Sequence, residues 1–356
     1  FVEHGLSPKK GQQLWSLIEP FAAYGFNKAH SASYGRVAYQ TAYMKANYPV
    51  AYMSAIMSNE SGDIEKIAEI VSECKRMNIT VLPPDINMSE GGFSIVVSEQ
   101  KAVSSASTAH SLLSTASSPE EIRFGLYTVK NLGVDISDAI IKERKENGHY
   151  TSFENFIRRV THKNLNKKSL EALTMCGALD DLGERGAILF NMENILSFHK
   201  QVVKDNIMQN NLFGNIENSS FVMKPAPPTS QEQKLAWEKE LLGLFVSGFP
   251  LDPWKEKIES RGMNIEKVER EIPDGKEVSL AIIIEHIKTM LTKKGDKMAI
   301  LTLRDYHGLI EVAVFPETYS QFKNKIILDI PLVVRGKVKT RNGEKTIIVD
   351  EIRGLE

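Results

Sequence analysis

Apolar residues recur every three or four positions through the first eighty residues. They predict helices over Gln12 to Tyr24, Ser31 to Tyr48, Ala51 to Asn59 and Asp63 to Met77. Ser31 is the expected N-cap of the second helix and Pro49 its stop. Pro83 and Pro84 close the block, and the period then shortens to two. Phe93 to Val97 predicts a strand and Ile122 to Leu126 its return. Between them KAVSSASTAHSLLSTASSPE has no clear period and predicts a flexible loop at about 101–120. Residues 127–200 are helical again, with two short Gly-containing turns, and 201–230 shift to Asn, Ser, Pro and Gln, a linker composition. Residues 231–262 are helical, broken by GFPLDP. Alternation then predicts strands at Glu277 to Lys288, Met298 to Arg304, Leu309 to Phe315, Pro331 to Thr340 and Lys345 to Glu351. A short helix falls near Glu317 to Lys323, and Asn342-Gly343 is a strong hairpin turn.

Five strands with a helix after the third fit an oligonucleotide-binding barrel. The whole reads as a multidomain α+β chain, mostly helical before that barrel. Its 356 residues allow two or three domains, and 42% hydrophobic with 25% charged residues is ordinary globular composition. There is no apolar run of about 18 residues, so no membrane partner is expected. A net charge of −1 does not exclude nucleic acid, because clustering matters more than the sum. Cys74 and Cys176 have no metal-ligand spacing and fit a reducing cytoplasm. The chain starts at Phe1 inside a helical pattern, as expected of an internal piece of a longer protein.

Four places carry candidate chemistry. Lys28 and His30 just before the second helix, and Tyr34, Arg36, Tyr39, Tyr43 and Lys45 along it, gather cations and rings on one helix, which suits a triphosphate and a base. The same tyrosines, four apart, also fit a buried helix face. Leu132-Gly133 stands in a tight turn before a helix, and Gly177 in one after a helix. Glycine lets a backbone approach a phosphate there. Arg158, Arg159, His162, Lys163, Lys167 and Lys168 run between these turns, either as a phosphate grip or as a solvated face. On the fourth barrel strand Arg335, Lys337, Lys339 and Arg341 alternate onto one side, with Lys293, Lys294 and Lys297 in an earlier loop. Tyr306 and Phe315 are the rings within reach, and single-strand binding uses such ingredients. In the polar linker, Gln209-Asn210-Asn211-Leu212-Phe213 places two apolar side chains that need a burial site, on a partner or on the parent domain.

Residues 24–49, YGFNKAHSASYGRVAYQTAYMKANYP, resemble the fingers motif of the bacterial replicative DNA polymerase III alpha subunits, the C-family polymerases. Gly25, Phe26, Asn27, Lys28, His30, Tyr34, Tyr39, Gln40 and Thr41 match, whereas Arg36 stands where an apolar residue is usual. The later segments resemble that family's tandem helix-hairpin-helix domain, its clamp-binding peptide, its connector (with Glu240, Gly243 and Pro250 matching) and its OB-fold, in family order. The resemblance implies fingers over 1–90, the hairpin domain over 91–200, a linker with the peptide over 201–230, a connector over 231–275 and the barrel over 276–356. It implies nucleotide contacts from Lys28, His30, Tyr34 and Arg36. It implies DNA contacts from Leu132, Gly133, Arg158, Arg159, Lys163, Lys167, Lys168, Gly177, Arg335, Lys337, Lys339 and Arg341. Gln209, Leu212 and Phe213 would bind the sliding clamp. The intact protein would be a DNA-directed DNA polymerase working on primed template and deoxynucleoside triphosphates with other holoenzyme subunits. Its Mg2+ would be held by palm carboxylates outside this stretch, which holds no metal motif and is expected to be inactive alone. The alternatives are the error-prone paralogue, or a non-catalytic DNA-binding, clamp-tethering protein.

Overall fold

A computed structural model of the chain describes residues 2–24, 28–97, 120–209, 221–341 and 343–355. They divide into two units, one of residues 1–82 with 92–125 and one of 83–91 with 126–356. The hairpin strands expected beyond residue 90 therefore group with the N-terminal helices.

In the first unit, helices α1 (Pro8–Tyr24), α2 (Lys28–Asn47), α3 (Pro49–Asn59) and α4 (Ile64–Arg76) precede strands β1 (Val81–Leu82), β2 (Ser94–Val97) and β3 (Glu120–Arg123). Asp63 caps α4, accepting from the Lys66 amide at 3.2 Å. The sheet order is β1-β3-β2, with β1 parallel and β2 antiparallel to β3. The apolar stripe of α3 buries Met53 and Met57, and the sheet side supplies Phe93, Ile122 and Phe124. The Phe93 and Phe124 rings lie 4.7 Å apart. Ser31 is not an N-cap: α2 already runs from Lys28, because Ala29 and Ala32 favour helix propagation through the serine. Residues 101–119 of the predicted loop lie outside the described residues.

The second unit starts with α5 (Val134–Asn147), α6 (Phe153–Arg159), α7 (Lys167–Met175), α8 (Arg185–Phe190) and α9 (Met192–Gln209). The linker expected from 201 begins later than its composition suggests. Ile195, Phe198 and Val202 continue one buried face at helical spacing, so α9 holds to Gln209. Residues 221–229 are also strapped down. Phe221 packs 5.1 Å from Phe198, Asn191 brackets the Lys224 backbone at 2.8 and 2.9 Å, and the Thr229 amide donates to Glu184 at 2.8 Å.

Helices α10 (Gln231–Leu242), α11 (Lys255–Arg261) and α12 (Ile265–Arg270) lead to the barrel. Strands β4 (Glu277–Leu291), β5 (Lys297–Arg304), β6 (Leu309–Val314), β7 (Leu332–Arg341) and β8 (Glu344–Gly354) close in the order β4-β5-β6-β8-β7, with α13 (Pro316–Phe322) after the third. Alternate residues fill the interior, among them Leu280, Ile282, Leu301, Leu303, Val312, Val334, Val338 and Ile347. Ile265 and Val268 of α12 belong to the same core. Gly343 turns the β7–β8 hairpin at φ +87. Among the described residues no helix is long and apolar enough to cross a membrane.

Candidate nucleic-acid interface

Helix α2 reads KAHSASYGRVAYQTAYMKAN, three Lys or Arg without a single carboxylate. The His30 and Tyr34 rings sit 4.4 Å apart, one turn from each other, and Tyr34 is 66% exposed. Arg36 is exposed too, but the helical step carries it roughly 160° around the axis from Tyr34. It shares the other side with Tyr39, 71% exposed, and Tyr43, whose rings are 6.4 Å apart. Lys28 opens the helix. The helix thus brings His30 and Tyr34 together and turns Arg36 away from them. Lys45 pairs with Glu73 at 2.7 Å. Arg76 also holds that carboxylate, at 2.6 Å, and the Glu73 pKa falls to about 2, chiefly through the Arg76 hydrogen bond and next through Lys45.

The hairpin domain carries a repeat that its glycines do not mark. Lys130-Asn131-Leu132-Gly133 precedes α5, and Lys163-Asn164-Leu165-Asn166 precedes α7. Leu132 and Leu165 are both buried. Each closes its turn in the same way, the Leu132 amide donating to the Val129 carbonyl at 3.1 Å and the Leu165 amide to the His162 carbonyl at 2.9 Å. Only the first turn uses the left-handed region, at Asn131 (φ +70). Gly133 is the N-cap of α5 and faces open space. Gly177 is not its counterpart: its amide is spent on the Thr174 carbonyl at 3.1 Å. At φ +87, a Cβ there would stand 2.4 Å from Arg185 Nη2, so this glycine admits a neighbouring side chain, not a phosphate. The repeat itself was the signal available in the sequence.

The basic stretch between the turns is uneven. Arg159 donates to the Gly148 and His149 carbonyls at 2.6 and 3.0 Å, pairs with Glu143 at 2.7 Å and covers the Tyr150 ring at 4.6 Å. Arg158 pairs with Glu154 at 2.8 Å and lies over Phe198 at 4.7 Å. Both arginines brace the fold. Lys167 reaches Glu171 only at 3.9 Å. Lys163 and Lys168 are exposed and carry no ion pair among the described residues.

On β7 the four cations do share the outer side, all exposed. Arg335, however, is paired with Glu277 on β4, and the hydrogen bond from Arg335 holds that carboxyl below its usual range. Opposite Arg341 in the ladder stands Glu344. The stripe available to a polyanion is Lys337, Lys339 and Arg341, at the end nearest the β7–β8 turn. Tyr306 is occupied: its hydroxyl donates to Asp252 at 2.8 Å and its ring lies 5.1 Å from Phe249. Phe315 remains 44% exposed at the start of α13.

A buried ionic cluster holds this unit together. Arg185, 2% exposed in its side chain, donates to both Asp180 oxygens at 2.8 Å, to Glu238 at 3.0 Å and to the Met175 carbonyl at 3.0 Å. Glu238, 1% exposed, also accepts the amides of Val246 and Ser247 at 3.0 and 2.9 Å. A second cluster ties α10 to the barrel. A bulge between Ile284 and His286 turns Glu285 toward Arg304 at 2.9 Å and Lys239 at 3.6 Å. Burial holds the nearby Asp329 carboxyl above its ordinary value, partly countered by Lys239. Gln209 closes α9, while Leu212 and Phe213 lie outside the described residues.

Residues 78–188 match the model of the helix-hairpin-helix motif, and 278–355 that of the OB-fold nucleic acid binding domain. Along its whole length the chain is 34% identical to the DNA polymerase III subunit alpha of Borreliella burgdorferi, covering 30% of it. Over 99% of the chain it is 34% identical to that of Thermus aquaticus and 33% to that of Deinococcus radiodurans, covering 27% and 26% of them. Over its whole length the chain is similar to DNA polymerase III alpha subunits. It spans less than a third of the length of these relatives. An asparaginyl-tRNA synthetase from Pyrococcus horikoshii is alike over 26% of the chain with 24% identity, but its TM-score of 0.21 carries no argument. Within the family match, the hairpin turns, the barrel and the carboxylate-free α2 each offer cations or backbone amides outward.

Proposed function

We propose that this chain is the DNA-gripping and nucleotide-contacting part of a replicative DNA-directed DNA polymerase. The observation that carries the reading is the sequence of a helix-hairpin-helix pair and an OB barrel in a chain that aligns end to end with polymerase III alpha subunits. The hairpin pair grips the duplex by its phosphates, without regard to sequence. The barrel follows a single strand along Lys337, Lys339, Arg341 and the 293–297 loop. His30 and Tyr34, with Lys28 at the start of α2, serve the incoming nucleotide: cations for the triphosphate, a ring for the base. Arg36, on the other side of that helix, is the weakest member of this set. Gln209, Leu212 and Phe213 dock on the sliding clamp, the polar residue by hydrogen bonds and the apolar pair in a groove.

Among the described residues no group of three or more His, Cys, Asp or Glu is disposed to hold a metal ion. The reading leaves magnesium chemistry to carboxylates of the palm expected from the family resemblance, outside this stretch. The test is to replace His30 or Tyr34 with Ala in a whole polymerase carrying this segment and follow primer extension. The expected result is impaired nucleotide use, in KM or kcat, with unchanged affinity for primed DNA. Unchanged nucleotide kinetics in both variants would refute the nucleotide assignment. Primer extension by this chain alone would refute the division of labour with the rest of the polymerase.

A further inference from the structure

The two hairpin turns share a sequence and a closing hydrogen bond but not a charge. Residues 129–138 set Lys130 against Asp135 and Asp138. The equivalent residues 162–171 set Lys163, Lys167 and Lys168 against Glu171, which only Lys167 approaches. The backbone differs as well. Ahead of α7, Asn166 Oδ1 accepts the Ser169 amide at 3.2 Å while Ser169 Oγ accepts the Asn166 amide at 2.9 Å, a reciprocal box that takes up two of the donors at that helix start. The second turn thus offers fewer backbone donors to a phosphate, and three lysine side chains stand there instead. At the first turn, one lysine faces solvent beside two carboxylates, and Asp138 is already engaged by the Tyr127 hydroxyl.

We propose that the two turns divide the grip on a duplex, with Lys163 and Lys168 of the second making the ionic phosphate contacts and the first contributing little charge. The proposal rests on the duplex-binding reading above. Its physical signature is counterion release. Each phosphate neutralised by a cation steepens the fall of log affinity with log salt by about 0.9, whereas an uncharged contact adds affinity without slope. The salt dependence of the hairpin pair thus belongs to one turn.

The experiment is fluorescence anisotropy of the full chain with a duplex, titrated from about 50 to 300 mM potassium chloride, a range over which counterion release is resolved. Lys163→Gln/Lys168→Gln is compared with Lys130→Gln and with the charge-preserving Lys163→Arg/Lys168→Arg. The expected loss of slope is about 1.8 in the double glutamine variant, and none in Lys130→Gln or in the arginine variant. An unchanged slope in the double glutamine variant, or a loss of about 0.9 in Lys130→Gln, would overturn the division of labour while leaving duplex binding intact. Absence of salt-dependent duplex binding by the unaltered chain would overturn the duplex reading itself and the division with it. All three sites are exposed, and far-UV circular dichroism verifies that each variant is folded.

Discussion

Replacing Glu238 by Ala is expected to be the most damaging single change at any acidic position of the connector. Glu238 is 1% exposed and satisfies three donors: Arg185 Nη2 at 3.0 Å and the amides of Val246 and Ser247 at 3.0 and 2.9 Å. Truncation leaves the two amides without their acceptor and removes one of two anions from a guanidinium whose side chain is only 2% exposed. Stripping one partner from a buried ion pair costs about 3–5 kcal/mol, and each buried orphan donor about 1–3 kcal/mol. These losses overlap, and Asp180 remains on Arg185, at 2.8 Å and 46% exposed. A net cost of about 4 kcal/mol follows, below the simple sum of the separate losses because they overlap. For a unit of this size that is a fall in melting temperature of roughly 8–16 °C.

Urea and thermal denaturation followed by circular dichroism measure it, with Glu240→Ala as control. Glu240 lies two residues on and points to solvent, so its loss should stay within about 0.5 kcal/mol. Glu238→Gln should fall between the two, keeping an acceptor but no charge for Arg185. If Glu238→Ala destabilised by less than about 1 kcal/mol, or no more than Glu240→Ala, the cluster would not be a structural tie and the argument from burial would fail.

Two further outcomes are expected. Gly177→Ala should cost roughly 1–3 kcal/mol, because φ is +87 and the new Cβ would press on Arg185 Nη2 at 2.4 Å; stability equal to the parent would refute the packing argument. The Glu73 carboxyl, lowered from 4.5 to about 2 by Arg76 and Lys45, should stabilise the fold above pH 4.5 and lose that contribution as pH falls through about 2. Glu73→Gln should flatten this acid limb in urea titrations between pH 6 and 2, and coincident limbs for the two proteins would contradict the assignment.

The barrel was the most readable part of the chain. Half-buried strands must alternate, and Leu280, Ile282, Leu301, Leu303, Val334 and Val338 do so with an Asn-Gly turn between the last two strands. The four-cation stripe was legible for the same reason, but its ion pair to Glu277 was not, since the partner lies on a strand some sixty residues earlier. The Arg185–Glu238 tie was invisible because isolated Arg and Glu in helical segments read as solvent-facing, and only tertiary packing reverses that. Gly177 drew attention as a glycine in a turn, yet the residue that occupies the position equivalent to Gly133 is Asn166, which caps with its side chain instead of leaving the helix start bare. The two-residue β1 is too short to leave a periodic trace. The segment after 200 misled through composition, as Val202 carries the buried face on among polar neighbours.

These details bear on how the interface works. A peptide held between α9, which ends at Gln209, and Phe221, which packs on Phe153 and Phe198, has both its ends on one folded unit. Under the clamp docking proposed above, a partner on that peptide would be tied to the unit at both flanks of the segment. Effective concentration rises as the linking chain shortens, provided the span can still be met. The same unit carries the barrel, tied to α10 through Lys239, Glu285 and Arg304. The hairpin pair, the barrel and both flanks of the 210–220 segment then belong to one unit. Weakening its internal ties at Glu238 should loosen all three together, whereas removing Lys163 and Lys168 should affect the duplex alone.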